Sequence, residues 1–254
     1  MSPHLAAVRV LLPQIDLDDD TFSLLPWLET AVPEALTRSI ARAGLLHPPL
    51  LQAKAATRFR VIAGRRRLLA LREAQAAGCL CLVLAAEAPD LEGLALSLED
   101  TLALRPLSAV EQALFLRKAG RHLDPGQLAE RYFPLLGLAP GMDLRKPARL
   151  LGLEEPLLRS LHAGRLGETA ALELAALPFV DRWALFEIIE LVGIGPGDQP
   201  RLTAACQEAA RREKRSVLDL LAAPAAKEIL EDQGGGPTRQ MERLLAWLSE
   251  GERS

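Results

Sequence analysis

Polar and apolar residues alternate along Arg58-Phe59-Arg60-Val61-Ile62, the signature of a strand with one buried face. Val8 to Leu12 is a candidate first strand closed by Pro13. Leu50 and Leu51 begin another after Pro48-Pro49, Lys54 to Thr57 turns the chain into the Arg58 strand, and Cys79 to Leu84 reads as a fourth, more buried strand. Asp16 to Asp20 forms an acidic turn. Helical periodicity lies between these segments. One helix starts at Pro33-Glu34-Ala35-Leu36, keeps Leu36, Ile40 and Ala43 on one face and is capped by Gly44; another runs from Arg65 to Ala76. That mixture predicts a small α+β domain over residues 1–105.

From Leu91 onward the pattern is almost purely helical. The predicted helices are Leu91–Leu104, Ser108–Arg121, Pro125–Leu136, Asp143–Leu151, Glu155–Ala163, Glu168–Ala176, Asp181–Val192, Gln199–Lys214, Ser216–Leu221 and Pro237–Leu248. Ser108 and Asp124-Pro125 provide helix starts. The expected division is a helical domain with a helix-turn-helix over 106–178 and a C-terminal helical region over 179–254. Gly193-Ile194-Gly195-Pro196-Gly197 follows a helix and contains a proline, so it reads as a linker turn and not a dinucleotide fingerprint. Gly234-Gly235-Gly236-Pro237 is a second break.

Composition narrows the classes. With 254 residues, 49% hydrophobic and 25% charged, the chain can bury a sizeable core, and a net charge of −3 excludes a uniformly basic nucleic-acid coat. Local patches remain: Arg58 to Arg72 holds six arginines and no acidic residue. Met1 to Ala7 lacks the pattern of a signal peptide, no apolar segment reaches spanning length without a charge, and a reducing cytoplasmic setting is expected. Cys79, Cys81 and Cys206 have no metal-ligand spacing, and buried packing is their expected role. The alternation in Cys79–Leu84 is read as placing Cys79 and Cys81 on opposite faces. His47, His122 and His162 are scattered, against a metal centre.

The chemistry concentrates at Phe59-Arg60-Val61-Ile62-Ala63-Gly64-Arg65-Arg66-Arg67, a strand, a glycine turn and a helix opening with three arginines. Glycine permits a sharp turn and close approach of a ligand, and the helix N-terminus offers unpaired N–H groups and a positive dipole end. Guanidinium groups pair with phosphate in a bidentate fork, so Arg65, Arg66 and Arg67 could cradle an anion.

Ser39-Ile40-Ala41-Arg42-Ala43-Gly44-Leu45-Leu46-His47-Pro48-Pro49-Leu50, followed by Phe59 to Arg67, resembles the N-terminal domain of the chromosome-partitioning ParB family. That family has a helix ending in Gly-Leu/Ile-X-X-Pro, a strand pair and a Gly-Glu-Arg-Arg-x-Arg-Ala box. Glu99-Asp100 stands where it carries a Glu-Asn pair. Arg149 to Pro156 and Ala163 to Leu166 look like the helices after its helix-turn-helix, so the resemblance covers about residues 8–178. It implies a ParB/sulfiredoxin-like α+β domain that binds CTP with Mg2+, a central domain that binds DNA, and homodimeric closure on the nucleoid. It puts Gly64, Arg66 and Arg67 on the nucleotide phosphates, Glu99 on a hydrolytic or metal-bound water, and Asp100 on the metal, with a weak CTPase as the implied activity. The chain departs from the pattern at Arg65, in place of the box's glutamate. It departs again at Leu69 in place of its last arginine, at Asp100 in place of the asparagine, and at Thr101-Leu102-Ala103 in place of the Gln-Arg that follows.

The candidate helix-turn-helix runs from Asp124 to about Leu151, with Arg145, Lys146 and Arg149 on its second helix able to reach DNA phosphates. Pro134, Gly137, Pro140 and Gly141 stretch the turn, and no Asn or Gln on that helix reads bases. Arg121 to Arg165 holds seven basic and five acidic residues. A competing reading is a ParB-fold protein-interaction module whose nucleotide and operator chemistry has decayed. A sulfiredoxin-type enzyme is disfavoured, because Ala63 to Arg67 lacks a cysteine. A nuclease is disfavoured too, because only Glu99-Asp100 offers carboxylates.

Overall fold

The computed structural model describes residues 4–27, 31–55, 57–232 and 236–250. Two compact units emerge: residues 1–107 with 114–142, and residues 108–113 with 143–254. Their boundaries fall inside the expected helical region, one of them within a helix.

The first unit carries a mixed five-stranded sheet of β1 (Leu5–Leu11), β2 (Ile15–Asp16), β3 (Leu50–Ala55), β4 (Arg58–Ala63) and β5 (Gly78–Leu84) in the order β1-β5-β3-β4-β2. β1–β5 and β3–β4 are antiparallel, while β3–β5 and β2–β4 are parallel. The helices are α1 (Glu34–Ala43), α2 (Arg65–Glu73), α3 (Asp90–Leu102), α4 (Ala109–Ala119, whose first residues group with the second unit) and α5 (Pro125–Leu136). The sheet with α1–α3 has the expected α+β character; a 3-10 turn at Leu12–Gln14 and the two-residue β2, which takes Asp16 where the pattern predicts the acidic turn to begin, are additional. Val10, Leu51, Val61, Leu68 and Cys81 form the core beneath α2.

Cys79 and Cys81 do not face opposite ways. Both are buried, with their Sγ atoms 3.5 Å apart, because residues two apart on a strand return to the same face.

The segment from Asp19 to Ser23 lies outside the strands; the Ser23 N–H donates to the Asp20 carbonyl at 2.9 Å, and side chains supply the other donors. The Arg65 Nη2 of α2 donates to the Asp19 carbonyl at 2.6 Å. Lys118 Nζ of α4 donates to the carbonyls of Asp20 (2.5 Å) and Ser23 (2.9 Å), and Ser97 Oγ of α3 donates to that of Phe22 (2.9 Å). The fully buried Phe22 ring rests on Gly93, where a Cβ would lie 2.6 Å from it, and beneath the Arg60 guanidinium at 5.0 Å. Burial pushes the Lys118 ammonium pKa down, with Asp20 opposing.

The second unit is helical: α6 (Arg145–Leu150), α7 (Glu155–His162), α8 (Glu168–Leu174), α9 (Phe179–Val192), α10 (Gln199–Glu213), α11 (Val217–Leu221), α12 (Pro224–Glu231) and α13 (Gly236–Glu250). α10 packs on α8 and α13, and α11 on α9. α12 is additional to the predicted helices: Pro224 starts it, and Ala226 is its buried residue. The expected Gly234-Gly235 break lies outside the described residues. Gln199, fully buried at the start of α10, donates to the carbonyls of Arg165 (2.6 Å) and Ile194 (2.8 Å) and accepts from the Gly167 N–H (2.8 Å). It ties α10 to the loop before α8. Among the described residues no helix is long and apolar enough to cross a membrane.

Replacing Lys118 by methionine removes the side-chain donor from the Ser23 carbonyl and leaves the Asp20 carbonyl with only the Ser23 N–H; chemical denaturation should show a stability decrease of about 1–3 kcal/mol. Glu173, on α8, has a buried Oε2 without a hydrogen-bond partner, and desolvation raises its carboxyl pKa. A carboxyl held above its unfolded value costs nothing while protonated in both states, and its penalty grows as pH rises through the two values. Glu173→Gln should therefore raise the melting temperature near pH 7 and leave it unchanged near pH 3, as read by differential scanning fluorimetry.

Candidate functional site

β4 ends at Ala63, and Gly64 turns the chain into α2 with φ 90° and ψ 22°, a left-handed conformation that β-carbon-bearing residues rarely adopt. The first helical hydrogen bond is Leu68 N–H to the Gly64 carbonyl at 3.1 Å, so the N–H groups of Arg65, Arg66 and Arg67 are not taken by that ladder. The three arginines diverge. Arg65 reaches to the Asp19 carbonyl. Arg67 lies across Gly64, whose hypothetical Cβ would meet its Nη2 at 2.9 Å, and Nη1 donates to the carbonyls of His47 (2.6 Å) and Pro48 (3.3 Å). Arg66, between them, is exposed.

Arg65 and Arg67 thus brace the glycine turn from opposite sides, one on the acidic turn and one on the loop before β3. Burial lowers the Arg65 pKa, with the carboxylates of Asp19, Asp18, Asp20 and Asp16 opposing it. Its Nη1 is buried without a hydrogen-bond partner.

A polar cluster absent from the predicted site residues sits on the same sheet. Gln52, fully buried on β3, donates to the Ala88 carbonyl at 2.8 Å and accepts from Arg60 Nη2 at 2.6 Å. The same Nη2 is 2.6 Å from Asp90 Oδ1, at the start of α3. The available signal was Arg60 on the alternating strand and an aspartate opening a helix after Pro89.

Glu99 and Asp100 lie toward the other end of α3, exposed and half-buried respectively. Nine residues of helix separate Glu99 from Asp90, about 14 Å of axial rise. Burial chiefly raises the Tyr132 phenol pKa, and the Glu99 charge adds to it, which locates Glu99 on the α5 side. The α3 carboxylate that pairs with a β4 arginine is therefore Asp90. Among the described residues no group of three or more His, Cys, Asp or Glu is placed to hold a metal ion.

Arg145, Lys146 and Arg149 are placed on the six-residue α6, with Arg145 and Arg149 hydrogen-bonded within the protein. Arg145 Nε bonds both Asp143 oxygens, at 2.9 and 3.1 Å, and that hydrogen bonding holds the Asp143 carboxyl below the usual range. Arg149 Nη2 donates to the Leu172 carbonyl at 3.3 Å. α5 begins with a reciprocal Asp124–Gln127 capping box. Residues 137–144 separate α5 from α6, longer than the three- to four-residue turn of a compact helix-turn-helix, and the boundary between the two units falls there. His162 Nδ1 is 2.9 Å from Ser108 Oγ and 3.9 Å from Glu111 Oε2. Serine and carboxylate approach the same ring nitrogen, so these residues form a helix cap and not a nucleophile relay.

Residues 10–100 match the family model described as the ParB N-terminal domain. The probable chromosome 1-partitioning protein ParB of Deinococcus radiodurans is 31% identical over 160 residues, 63% of this chain and 53% of that protein. The chain thus spans about half the length of that relative. The C-terminally truncated ParB of Caulobacter crescentus complexed to the centromeric parS site is 21% identical, with 78% of this chain and 98% of that one covered and a TM-score of 0.41. The same protein complexed with CTP-γ-S is 23% identical, with 73% and 99% covered and a TM-score of 0.31. A Pnob8-like ParB-N domain is 13% identical, with 96% and 99% covered and a TM-score of 0.45. The succession of strand, glycine turn and arginine-led helix lies within the matched span, and the chain carries a ParB-like N-terminal domain.

Proposed function

We propose that this chain is a DNA-associated protein of the chromosome-partitioning or transcription-regulator type. On this reading its N-terminal domain takes CTP or another nucleoside triphosphate at the Gly64 turn. The observation that carries the reading is the left-handed Gly64 capping an arginine-led helix inside a ParB-like domain. The N–H groups opening α2 and the exposed Arg66 supply donors to phosphate oxygens. Arg65 and Arg67 hold the turn in shape, so less ordering remains to oppose binding. Hydrolysis, where it follows, is assigned to Glu99, with Asp100 beside it, and either requires the ligand to extend toward the far end of α3.

DNA contact is assigned to Arg145, Lys146 and Arg149, whose place on α6 suits phosphates, in a homodimer on the nucleoid. A second reading, a protein-interaction module on the same fold, is favoured by the engagement of Arg145 with Asp143 and of Arg149 with Leu172.

Melting in the presence of CTP, ATP or GTP tests the pocket. At one hundred times the dissociation constant the expected stabilisation is about 2.7 kcal/mol, and Arg66→Ala should abolish most of it. If no nucleoside triphosphate moves the melting temperature, the pocket assignment fails.

DNA retention titrated with salt separates the two readings. The DNA-binding reading expects log K to fall steeply with log salt. Alanine at Arg145, Lys146 and Arg149 should then flatten the slope by about 0.9 for each phosphate that is no longer neutralised. Salt-insensitive or absent retention favours the interaction module.

A further inference from the structure

A triphosphate brings several negative charges that a site must balance. It can do so with a divalent ion held by carboxylates or with cations of its own. The family resemblance implies the first. Around Gly64 the second is favoured by the residue directly after the glycine, Arg65, a cation where the family's box carries a carboxylate.

The carboxylates nearest Arg65 belong to the acidic turn, and two of them are already engaged. Asp16 Oδ1 accepts the N–H groups of Asp18 and Asp19, both at 3.2 Å. Asp19 Oδ1 accepts from the Thr21 N–H at 2.9 Å, and its Oδ2 lies 3.6 Å from Lys54 Nζ. Arg65 itself binds the Asp19 carbonyl, and all four aspartates of the turn favour its charged form. A divalent ion drawn to these carboxylates would meet a guanidinium that the chain already tethers beside them.

We propose that Arg65 is a built-in counter-cation, and that polyanion binding at the Gly64 turn needs no divalent metal. This rests on the nucleotide-binding reading and specifies the form of ligand that the site takes: the free triphosphate chain.

The test uses the full chain with CTP, and separately with inorganic tripolyphosphate, each in EDTA and in excess magnesium. Melting temperature and calorimetric affinity are the readouts. The inference expects affinity in EDTA equal to or above that in magnesium, for both ligands. Arg65→Glu should weaken binding in EDTA at least tenfold and make magnesium restore it. Arg65→Gln, which keeps an amide donor and removes the charge, should also weaken binding in EDTA, and it serves if the glutamate variant does not fold. Wild-type binding that requires magnesium, or Arg65→Gln binding undiminished in EDTA, overturns the inference while leaving the nucleotide site standing. No binding under either condition overturns the nucleotide reading itself, and this inference with it.

Discussion

The first unit depends on a short stretch of backbone, Asp19 to Ser23, whose carbonyls are bound by side chains and have no strand beside them. Carbonyls withdrawn from water need donors, and beyond the Ser23 N–H on Asp20 these find them in side chains from three different helices: Arg65 of α2, Ser97 of α3 and Lys118 of α4. The dependence runs both ways. A lysine as buried as Lys118 holds its charge at a desolvation cost, which carbonyl dipoles offset. The stretch therefore works as a polar core that fixes where α2 begins, and so the geometry of the Gly64 turn. Phe22, seated between Gly93 and Arg60, adds the apolar half of the same lock.

That lock explains what the sequence could and could not convey. Strands with strict alternation or a continuous apolar run, and helices with a clear apolar face, were legible because their period is local. The strand at Arg58–Ala63, the helices at Glu34–Ala43 and Pro125–Leu136 and the glycine turn all follow from neighbours a few residues apart. The two-residue β2 was not legible, because its only reason to exist is parallel pairing with Phe59 and Arg60. The side-chain bonds to the Asp19–Ser23 carbonyls were invisible for the same reason, since those donors lie 46 to 98 residues away. The facing of Cys79 and Cys81 differs in kind: it follows from the strand's two-residue period, which an opposite-face expectation misapplies to a correctly placed strand.

The arginine-rich segment shows why counting charge overstates a binding patch. Six guanidinium groups without an acid between Arg58 and Arg72 look like an open electropositive surface. Folding turns much of that capacity inward: Arg60 on Gln52 and Asp90, Arg65 on Asp19, Arg67 on His47 and Pro48. A guanidinium has five donors in a fixed fork, so one bracing bond does not exhaust it, but it does fix the plane in which the others point. The glycine turn is therefore held between two oriented cations with an exposed third, a more specific arrangement than three solvated side chains.

The DNA contact proposed for α6 follows a different logic, because charge and sequence readout separate there. Six residues of α6 rise about 9 Å, enough to set three cations along a phosphate backbone. Reading bases takes side chains that match donor and acceptor patterns at groove edges, commonly Asn or Gln on adenine and Arg on guanine. α6 has neither Asn nor Gln, and Arg145 and Arg149 each hold a partner within the protein. On the proposed reading, the existing bonds fix the plane in which Arg145 and Arg149 present their remaining donors, whereas Lys146 could meet a phosphate without the matched geometry that a base edge requires. The helix then contributes position more readily than discrimination. Any preference among DNA sites would have to come from other elements or from the deformability of the duplex.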